Sequence, residues 1–181
     1  MENARPDRFQ KSDHFLTLAT ASPLGALADV MDTYTLDDLR QELSGWQELA
    51  LCNEDSAYAE ATARENLLAF MQGFQTAIEA LYTTRLKKRN YQSPAHAALN
   101  SPRLLTLHEQ AHPMPVIRQF AETFSHAYTQ AELLDLLEAV VSYHGKKKIQ
   151  LESVVFVYQR LCFLACLIYE LTTGEGVVHA S

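Results

Sequence analysis

Apolar side chains recur at steps of three and four residues along most of this chain, which is the spacing of one face of an α-helix. Three such stripes predict three helices that each turn one face to a core. They comprise Leu67, Phe70, Met71, Phe74, Ile78 and Leu81, then Ile117, Phe120 and Phe124, then Leu133, Leu136, Leu137, Val140 and Val141. Gly73 interrupts the first stripe, which indicates a close helix crossing or a kink.

The chain shows no convincing run of alternating apolar and polar residues, the pattern of a half-buried strand. Residues 154–158 have the composition of a strand. The apolar sequence continues to residue 171, however, and that length favours a helix. The predicted fold class is therefore all-α, a multi-helix bundle. The predicted helices lie near residues 13–21, 23–31, 36–51, 56–88, 94–99, 102–112, 115–127, 130–143 and 148–172.

Two of these helices, 56–88 and 148–172, are long, and we expect the bundle to be built around them. The last one is apolar on nearly every side, so it needs neighbours all round and is predicted to be central. Those neighbours are either the other helices or a second copy of the chain. Arg160 interrupts the apolar stretch, and an arginine is costly at the centre of a bilayer, so we expect no membrane span. We expect a homodimer formed through the part of this helix that carries Cys162 and Cys166.

Two helix starts carry capping signals. Thr35 precedes a helical pattern and has Asp38 three residues later, which approximates a capping box. Thr129 has Glu132 at the same distance, which is the usual form of that motif. We therefore predict that Thr35 and Thr129 each cap a helix.

The domain organisation is predicted to be simple. The segments are a flexible N-terminus at 1–12, one helical domain at 13–174 and a tail at 175–181. The stretch between the helical patterns, which contains prolines and asparagines, leaves a second arrangement open, with two helical halves at 13–90 and 101–174.

Composition narrows the class of protein. Apolar residues make up 48% and charged residues 20% of the 181 residues, as in globular proteins. The net charge of −7 argues against attraction of nucleic acid to the whole surface. The polar start of the chain does not resemble a signal peptide, and three cysteines do not make a disulfide framework. We expect a cytoplasmic protein.

One segment, His108-Glu109-Gln110-Ala111-His112, has the residue types and spacing of a known zinc-binding motif. On a helix, two histidines four residues apart can bind one zinc ion, and the intervening glutamate can act as general base on a zinc-bound water. The separation from His112 to Glu132 resembles that of the glutamate ligand in thermolysin-like zinc peptidases. Under this hypothesis Glu109 is catalytic, and His108, His112 and Glu132 bind Zn²⁺.

Three observations weaken the zinc hypothesis. Pro113 disfavours helical geometry at His112, Glu132 is already used in the predicted cap, and no strand is predicted that would bind a substrate peptide. His126 and Glu122 are alternative third ligands. Glu109 and His112 also have the spacing used in di-iron bundles, but no second copy of that motif is present. The competing interpretation is a short surface helix that ends at Pro113.

Two basic tracts stand out against the acidic background, and we consider them as a polyanion-binding patch. They comprise Arg85, Lys87, Lys88 and Arg89, then Lys146, Lys147 and Lys148. Solvated helix ends are the preferred interpretation of both tracts. Cys162 and Cys166 are separated by three residues, whereas a redox pair is usually separated by two, so small core residues are the preferred interpretation.

Three classes of function remain. The preferred one is a non-enzymatic helical interaction or regulatory module without a cofactor, because no complete catalytic set is visible. The partner is then a second copy of the chain or another protein. The alternatives are a zinc-dependent hydrolase and an accessory protein that contacts nucleic acid or another polyanion through the basic tracts.

Overall fold

The structure, a computed structural model, describes Leu27 and residues 30–88, 103–146 and 151–174. These residues form six helices after a helical turn at 30–33, and within them no β-strand occurs. The helices are α1 (Leu36–Cys52), α2 (Ala61–Lys88), α3 (Leu107–Ala111), α4 (Met114–Thr123), α5 (His126–Val141) and α6 (Leu151–Gly174). The predicted all-α fold is confirmed. The predicted segments 1–12, 13–21, 94–99 and 175–181 lie outside the described residues.

Five of the helices close into a ring around one core. Helix α1 packs on α2, α2 on α4, α4 on α6, α6 on α5, and α5 on α1, while the short α3 lies against α2. The three predicted stripes supply much of the core, and α1 adds Leu39, Leu43 and Trp46. The helices of the two predicted halves thus pack on each other, although the division of the chain into domains stays a prediction.

The longest described helices are α2, with 28 residues, and α6, with 24 residues. They touch each other over a short stretch only, and α6 packs mainly on α5 and α4. The prediction that the bundle is built around these two helices is therefore not confirmed. The central position predicted for α6 also stays unconfirmed, because the described helices cover one side of it.

The first predicted cap is confirmed. The hydroxyl oxygen of Thr35 accepts from the amide of Asp38 at 3.1 Å, and the Asp38 carboxylate accepts from the amide of Thr35 at 3.0 Å. The hydroxyl of Thr35 also donates to the Asp38 carboxylate at 2.7 Å, and this bond, together with the one from the Thr35 amide, holds the pKa of Asp38 below its usual value. The helix begins at Leu36, as the sequence predicted.

The second predicted cap is wrong. Ser125 caps α5 instead, and its hydroxyl accepts from the amide of Tyr128 at 3.2 Å. Thr129 lies inside the helix and is fully buried, with its hydroxyl 2.6 Å from that of Tyr169 on α6. The boundary between the helices predicted at 115–127 and 130–143 therefore lies at residues 124–125. Thr129 and Glu132 are buried in the core and do not form the cap.

Gly73 marks a close crossing of α2 and α4, one of the two outcomes that the sequence predicted. A Cβ atom on Gly73 would lie 3.1 Å from Cε2 of Phe124 and 3.4 Å from Cδ2 of Phe120. Both rings also contact Phe70, at centroid distances of 5.5 and 6.1 Å. The missing side chain thus lets an aromatic cluster form between the two helices.

Two predicted helices begin later in the structure than the sequence indicated. Residues 53–60 form turns, so α2 begins at Ala61 and not near residue 56. Asn53 holds these turns to α5, because its side-chain amide donates to the carbonyl of Ala139 at 2.9 Å. Residues 103–106 are likewise not helical, and α3 begins at Leu107 because Thr106 caps it.

Candidate functional site

The two histidines of the His-Glu-Gln-Ala-His segment lie side by side on the surface. Their ring centroids are 4.9 Å apart, and both side chains are exposed. His108 lies in the first turn of α3, whereas His112 is the residue that ends this helix. The pair could share a metal ion, but α3 has only five residues and His112 has left helical geometry, as Pro113 led us to expect.

Glu109, the candidate general base, is used to cap α3. Its carboxylate accepts from the amide of Thr106 at 2.7 Å, and the hydroxyl oxygen of Thr106 accepts from the amide of Glu109 at 3.3 Å. The hydrogen bonds from Thr106 hold the pKa of Glu109 below its usual value. A general base works best with a pKa near the working pH, so this environment shifts Glu109 away from that role.

Glu132, the candidate third ligand, points into the core between α5 and the turns at 53–60. It is 8% exposed. Burial raises its pKa, and hydrogen bonds from the hydroxyls of Tyr58 and Tyr128 partly offset that rise. Burial beside the Glu132 carboxylate also raises the pKa of Tyr128 to about 12. The surroundings of Glu132 are thus those of a buried polar group.

No group of three His, Cys, Asp or Glu side chains that could hold a metal ion is found among the described residues. His108 and His112 form a pair without a third ligand there, and neither Glu132 nor the alternatives Glu122 and His126 join them. The zinc hydrolase stays a prediction, and the described geometry adds no support to it.

The basic tracts fall mostly outside the described residues. Arg89, Lys147 and Lys148 lie beyond them, and so do the side chains of Arg85, Lys87 and Lys88. Lys146 is described and is exposed, in the segment after α5. The polyanion-binding patch stays a prediction.

A cysteine and a histidine that sequence reasoning did not connect are brought together by the packing of α5 on α6. The Nε2 atom of His126 lies 3.8 Å from the Sγ atom of Cys166. His126 is the first residue of α5, and Cys166 lies in the second half of α6, 40 residues later. No local spacing could have revealed this pair, because it depends on how two helices pack.

Gln130 also contacts the imidazole of His126. Its side-chain amide nitrogen lies 3.2 Å from Nε2, the ring nitrogen that also lies near Sγ of Cys166. The ring also contacts that of Tyr169, at a centroid distance of 4.8 Å.

Tyr169 anchors this corner of the molecule. Its hydroxyl donates to the carbonyl of Phe124 at 2.8 Å, so the hydroxyl of Thr129 must donate to Tyr169 across 2.6 Å. Burial raises the pKa of Tyr169. These bonds tie the start of α5 to α6 and thereby hold His126 beside Cys166.

The second cysteine of α6 lies one turn away. Cys162 is half-buried like Cys166, and burial raises the pKa of both thiols. Tyr158 forms a hydrogen bond with the Cys162 thiol. Neither thiol is in an environment that favours a thiolate nucleophile, since reactive cysteines have a lowered pKa. The sequence predicted that Cys162 and Cys166 are small core residues. In the structure both are half-buried and lie at the edge of the core.

One side of α6 is exposed or half-buried among the described residues. Six positions spaced four, three, four, three and four residues apart form what we call the outer seam, and none of them is buried. They are Val155, Gln159, Cys162, Cys166, Tyr169 and Thr173. The opposite side of the helix carries eight buried residues and faces α4 and α5.

Arg160 lies on the covered side of α6. It is buried, and its guanidinium carbon sits 3.2 Å from the centroid of the Phe156 ring and 5.3 Å from that of Tyr34. Burial lowers its pKa. The segment Ser153–Thr173 is long and apolar enough to cross a membrane, but core helices of other proteins pass the same test, so the finding is weak.

Comparisons with models of protein families, with curated proteins and with solved structures found no match to this chain.

Proposed function

We propose that this chain is a non-enzymatic helical interaction subunit that pairs with a second copy of itself along the outer seam of α6. The observation that supports the proposal is that the most apolar helix of the described structure carries one continuous line of exposed or half-buried positions, the outer seam. Val155, at one end of the seam, is 50% exposed. Burying such a side against another helix is favourable, because it removes apolar surface from water.

The spacing of the seam argues for a helix as the partner. Alternating steps of four and three residues are the repeat along which two helices pack in a coiled coil. The middle positions, Cys162 and Cys166, are small, so a second helix backbone can approach closely. With 24 residues, α6 offers a contact line about 36 Å long.

The absence of charged residues from the seam favours a second copy of the chain as the partner helix. No seam position carries a formal charge, so two identical seams do not repel each other locally. Of the charged residues next to seam positions, Arg160 is buried on the covered side and Glu170 is exposed toward the C-terminal end. An antiparallel pair keeps its two Glu170 side chains apart, and such a two-fold pairing is the commonest form of self-association.

A matched pair of variants tests this proposal. Val155→Glu places a charge on the seam, and Leu68→Glu places the same charge on α2 at a side chain of similar exposure, 44%. By light scattering at micromolar concentration we expect a dimer for the unmodified protein and for Leu68→Glu. We expect the dimer of Val155→Glu to be weaker by about a hundredfold or more, because a buried charge without a partner is costly.

Cross-linking supplies a second, independent measurement. Variants that keep only Cys162, only Cys166 or only Cys52 are treated with a short thiol-to-thiol cross-linker. Cys52 is exposed at the end of α1, away from the seam, and serves as the control. We expect cross-linked dimers with Cys162 or Cys166 and none with Cys52.

Three results would overturn the proposal. The first is a monomeric mass for the unmodified protein. The second is equal loss of the dimer in Val155→Glu and Leu68→Glu. The third is binding to phospholipid vesicles that Val155→Glu abolishes, since the outer side of α6 would then be a membrane surface.

A further inference from the structure

We infer that Cys166 and His126 form half of a zinc site, which the same two residues of a second copy complete across the outer seam. This inference rests on the proposed pairing of α6. It concerns a metal site distinct from His108 and His112, since α5 and α6 form it and α3 has no part in it.

The distance between the two atoms fits a shared zinc ion. Zinc binds a cysteine sulfur at about 2.3 Å and a histidine nitrogen at about 2.1 Å with tetrahedral angles, which places the two ligand atoms about 3.6 Å apart. Nε2 of His126 and Sγ of Cys166 are 3.8 Å apart before any metal binds. The pair is thus spaced for chelation with very little movement.

The chemistry of the two ligand atoms also fits. Cysteine sulfur and an unprotonated histidine nitrogen are usual protein ligands of zinc, and zinc bound at Nε2 of His126 replaces the contact of that nitrogen with Gln130. The ring is held by contact with Tyr169, which the hydrogen bonds to Phe124 and Thr129 fix in place. Support of this kind around a ligand is what gives metal sites their affinity.

One chain supplies too few ligands. A structural zinc ion has four, and no group of three is present among the residues that the structure describes. Cys166 belongs to the outer seam, so a two-fold axis that crosses the seam between Cys162 and Cys166 brings a second Cys166 and His126 to the same region and keeps Val155 within the paired length. Two cysteines and two histidines are a common structural zinc set.

Binding must release protons. Each Cys166 thiol loses its proton to solvent when its sulfur bonds to zinc, while each His126 binds through the lone pair that it already has. One zinc ion per pair of chains therefore displaces two protons. No oxidant or reductant takes part, so the reaction is balanced as a metal-for-proton exchange.

The experiment is a titration of the full, chelator-treated chain with zinc alone, in weak buffer, with mass, zinc and released protons followed together. We expect one zinc ion per two chains, two protons per zinc ion, and a dimer at least about tenfold tighter with zinc. Cys166→Ser and His126→Ala are each expected to lose these effects.

Matched controls separate this site from other ligands in the chain. Cys52→Ser and the double variant His108→Ala with His112→Ala are expected to bind zinc like the unmodified protein. Cys162→Ser changes a seam position that is not a ligand, and it is expected to keep the ratio of one zinc ion per two chains. Loss of binding in the double variant would assign the metal to α3, and equal loss in Cys162→Ser would assign it to the two cysteines of one chain. Either result, or one zinc ion per chain, would overturn the inference.

Measurements on the chelator-treated protein, without added zinc, allow the zinc inference and the proposed pairing to be tested separately. If the protein without zinc dimerises through Val155 but binds no zinc, only the zinc inference fails. If it stays monomeric with and without zinc, both the pairing and the zinc site fail.

Discussion

Glu79 and Glu132 are both buried glutamates on core helices. Glu79 contacts a positively charged side chain, whereas Glu132 contacts none among the described residues. Glu79 on α2 is 4% exposed and meets the guanidinium of Arg40 on α1. Its carboxylate also accepts from the amide of Leu104 at 3.0 Å. Glu132 on α5 meets two phenol hydroxyls and no cation, and the carboxylate of Asp135 lies near enough to raise its pKa further.

The difference teaches what each buried acid does for the fold. Glu79 is paired with a cation, so it acts as a joint between α1, α2 and the segment before α3. Glu132 has no cation beside it among the described residues, and its Oε1 atom is buried without a hydrogen-bond partner, so burial favours its protonated form and raises its pKa. One glutamate therefore holds helices together, while the other makes the stability of the fold depend on pH.

The largest effect is expected from Glu79→Ala. The substitution removes the buried carboxylate from the mostly buried guanidinium of Arg40 and leaves it the more exposed Asp37 at 3.7 Å. Breaking a buried ion pair on one side costs about 3–5 kcal/mol, and Asp37 places the expected loss toward the lower end. The free energy of unfolding from urea denaturation measures the loss. Glu65→Ala, at an exposed position on the same helix, is the control and should change stability by less than about 0.5 kcal/mol.

A double variant tells whether the ion pair itself stabilises the fold, or whether the loss in Glu79→Ala comes from leaving one buried charge unpaired. Replacing Arg40 and Glu79 together by methionine removes both charges, and such exchanges are often neutral or stabilising. We expect the double variant to recover most of the stability that Glu79→Ala loses. A cost below about 1 kcal/mol for Glu79→Ala would instead place this pair with ordinary surface pairs.

A smaller effect, with a defined dependence on pH, is expected from Glu132→Gln. The pKa of Glu132 is higher in the folded chain than its usual 4.5, so the folded state binds the proton more tightly. Its contribution to stability is therefore greatest below pH 4.5 and is lost as pH rises through the folded value. Glutamine has no such loss, so the stability of Glu132→Gln relative to the unmodified chain should increase with pH.

Denaturation curves at several pH values check this expectation. Glu138→Gln, an exposed position on the same helix, is the matched control and should follow the unmodified protein at each pH. A constant difference between Glu132→Gln and the unmodified chain across the range would show that the carboxyl is not responsible for the pH dependence.

The helices and one face of each could be predicted from the sequence because those features are local. The apolar stripe from Leu67 to Leu81 and the capping box at Thr35 need only neighbouring residues to act, and both appear as predicted. Gly73 also behaved as its position indicated, because a close crossing of α2 and α4 needs a residue without a side chain.

Two of the features that the sequence did not reveal depend on contacts between distant segments, whereas the capping role of Glu109 is local. Thr129 has the better local capping signal, but its hydroxyl is used by Tyr169 on another helix, so Ser125 caps α5. Glu109 has the spacing of a catalytic base, yet the neighbouring Thr106 makes it a cap, which the sequence could have shown. Cys166 and His126 are 40 residues apart and become neighbours only when α5 packs on α6.

Glu79 offered a signal that sequence reasoning did not use. It is the single charged residue between Ala77 and Tyr82, within a run of residues that are all buried. A charge at such a position needs a partner of opposite sign, because an unpaired buried charge is too costly. The identity of that partner, Arg40, could not be predicted, since it comes from α1.

The smallest expected effect on stability comes from removing one of the two tyrosine hydroxyls beside Glu132. Tyr58→Phe removes a buried donor, whose hydroxyl also lies 3.4 Å from the backbone carbonyl of Glu132, while Tyr128→Phe alters a side chain that is 38% exposed. We expect Tyr58→Phe to cost about 1 kcal/mol and Tyr128→Phe less. Because the Tyr58 hydroxyl lowers the pKa of Glu132, its loss should raise that pKa and strengthen the pH dependence. If Tyr58→Phe leaves the pH dependence unchanged, hydrogen bonding does not set the pKa of Glu132, and burial alone distinguishes it from a solvent-exposed glutamate.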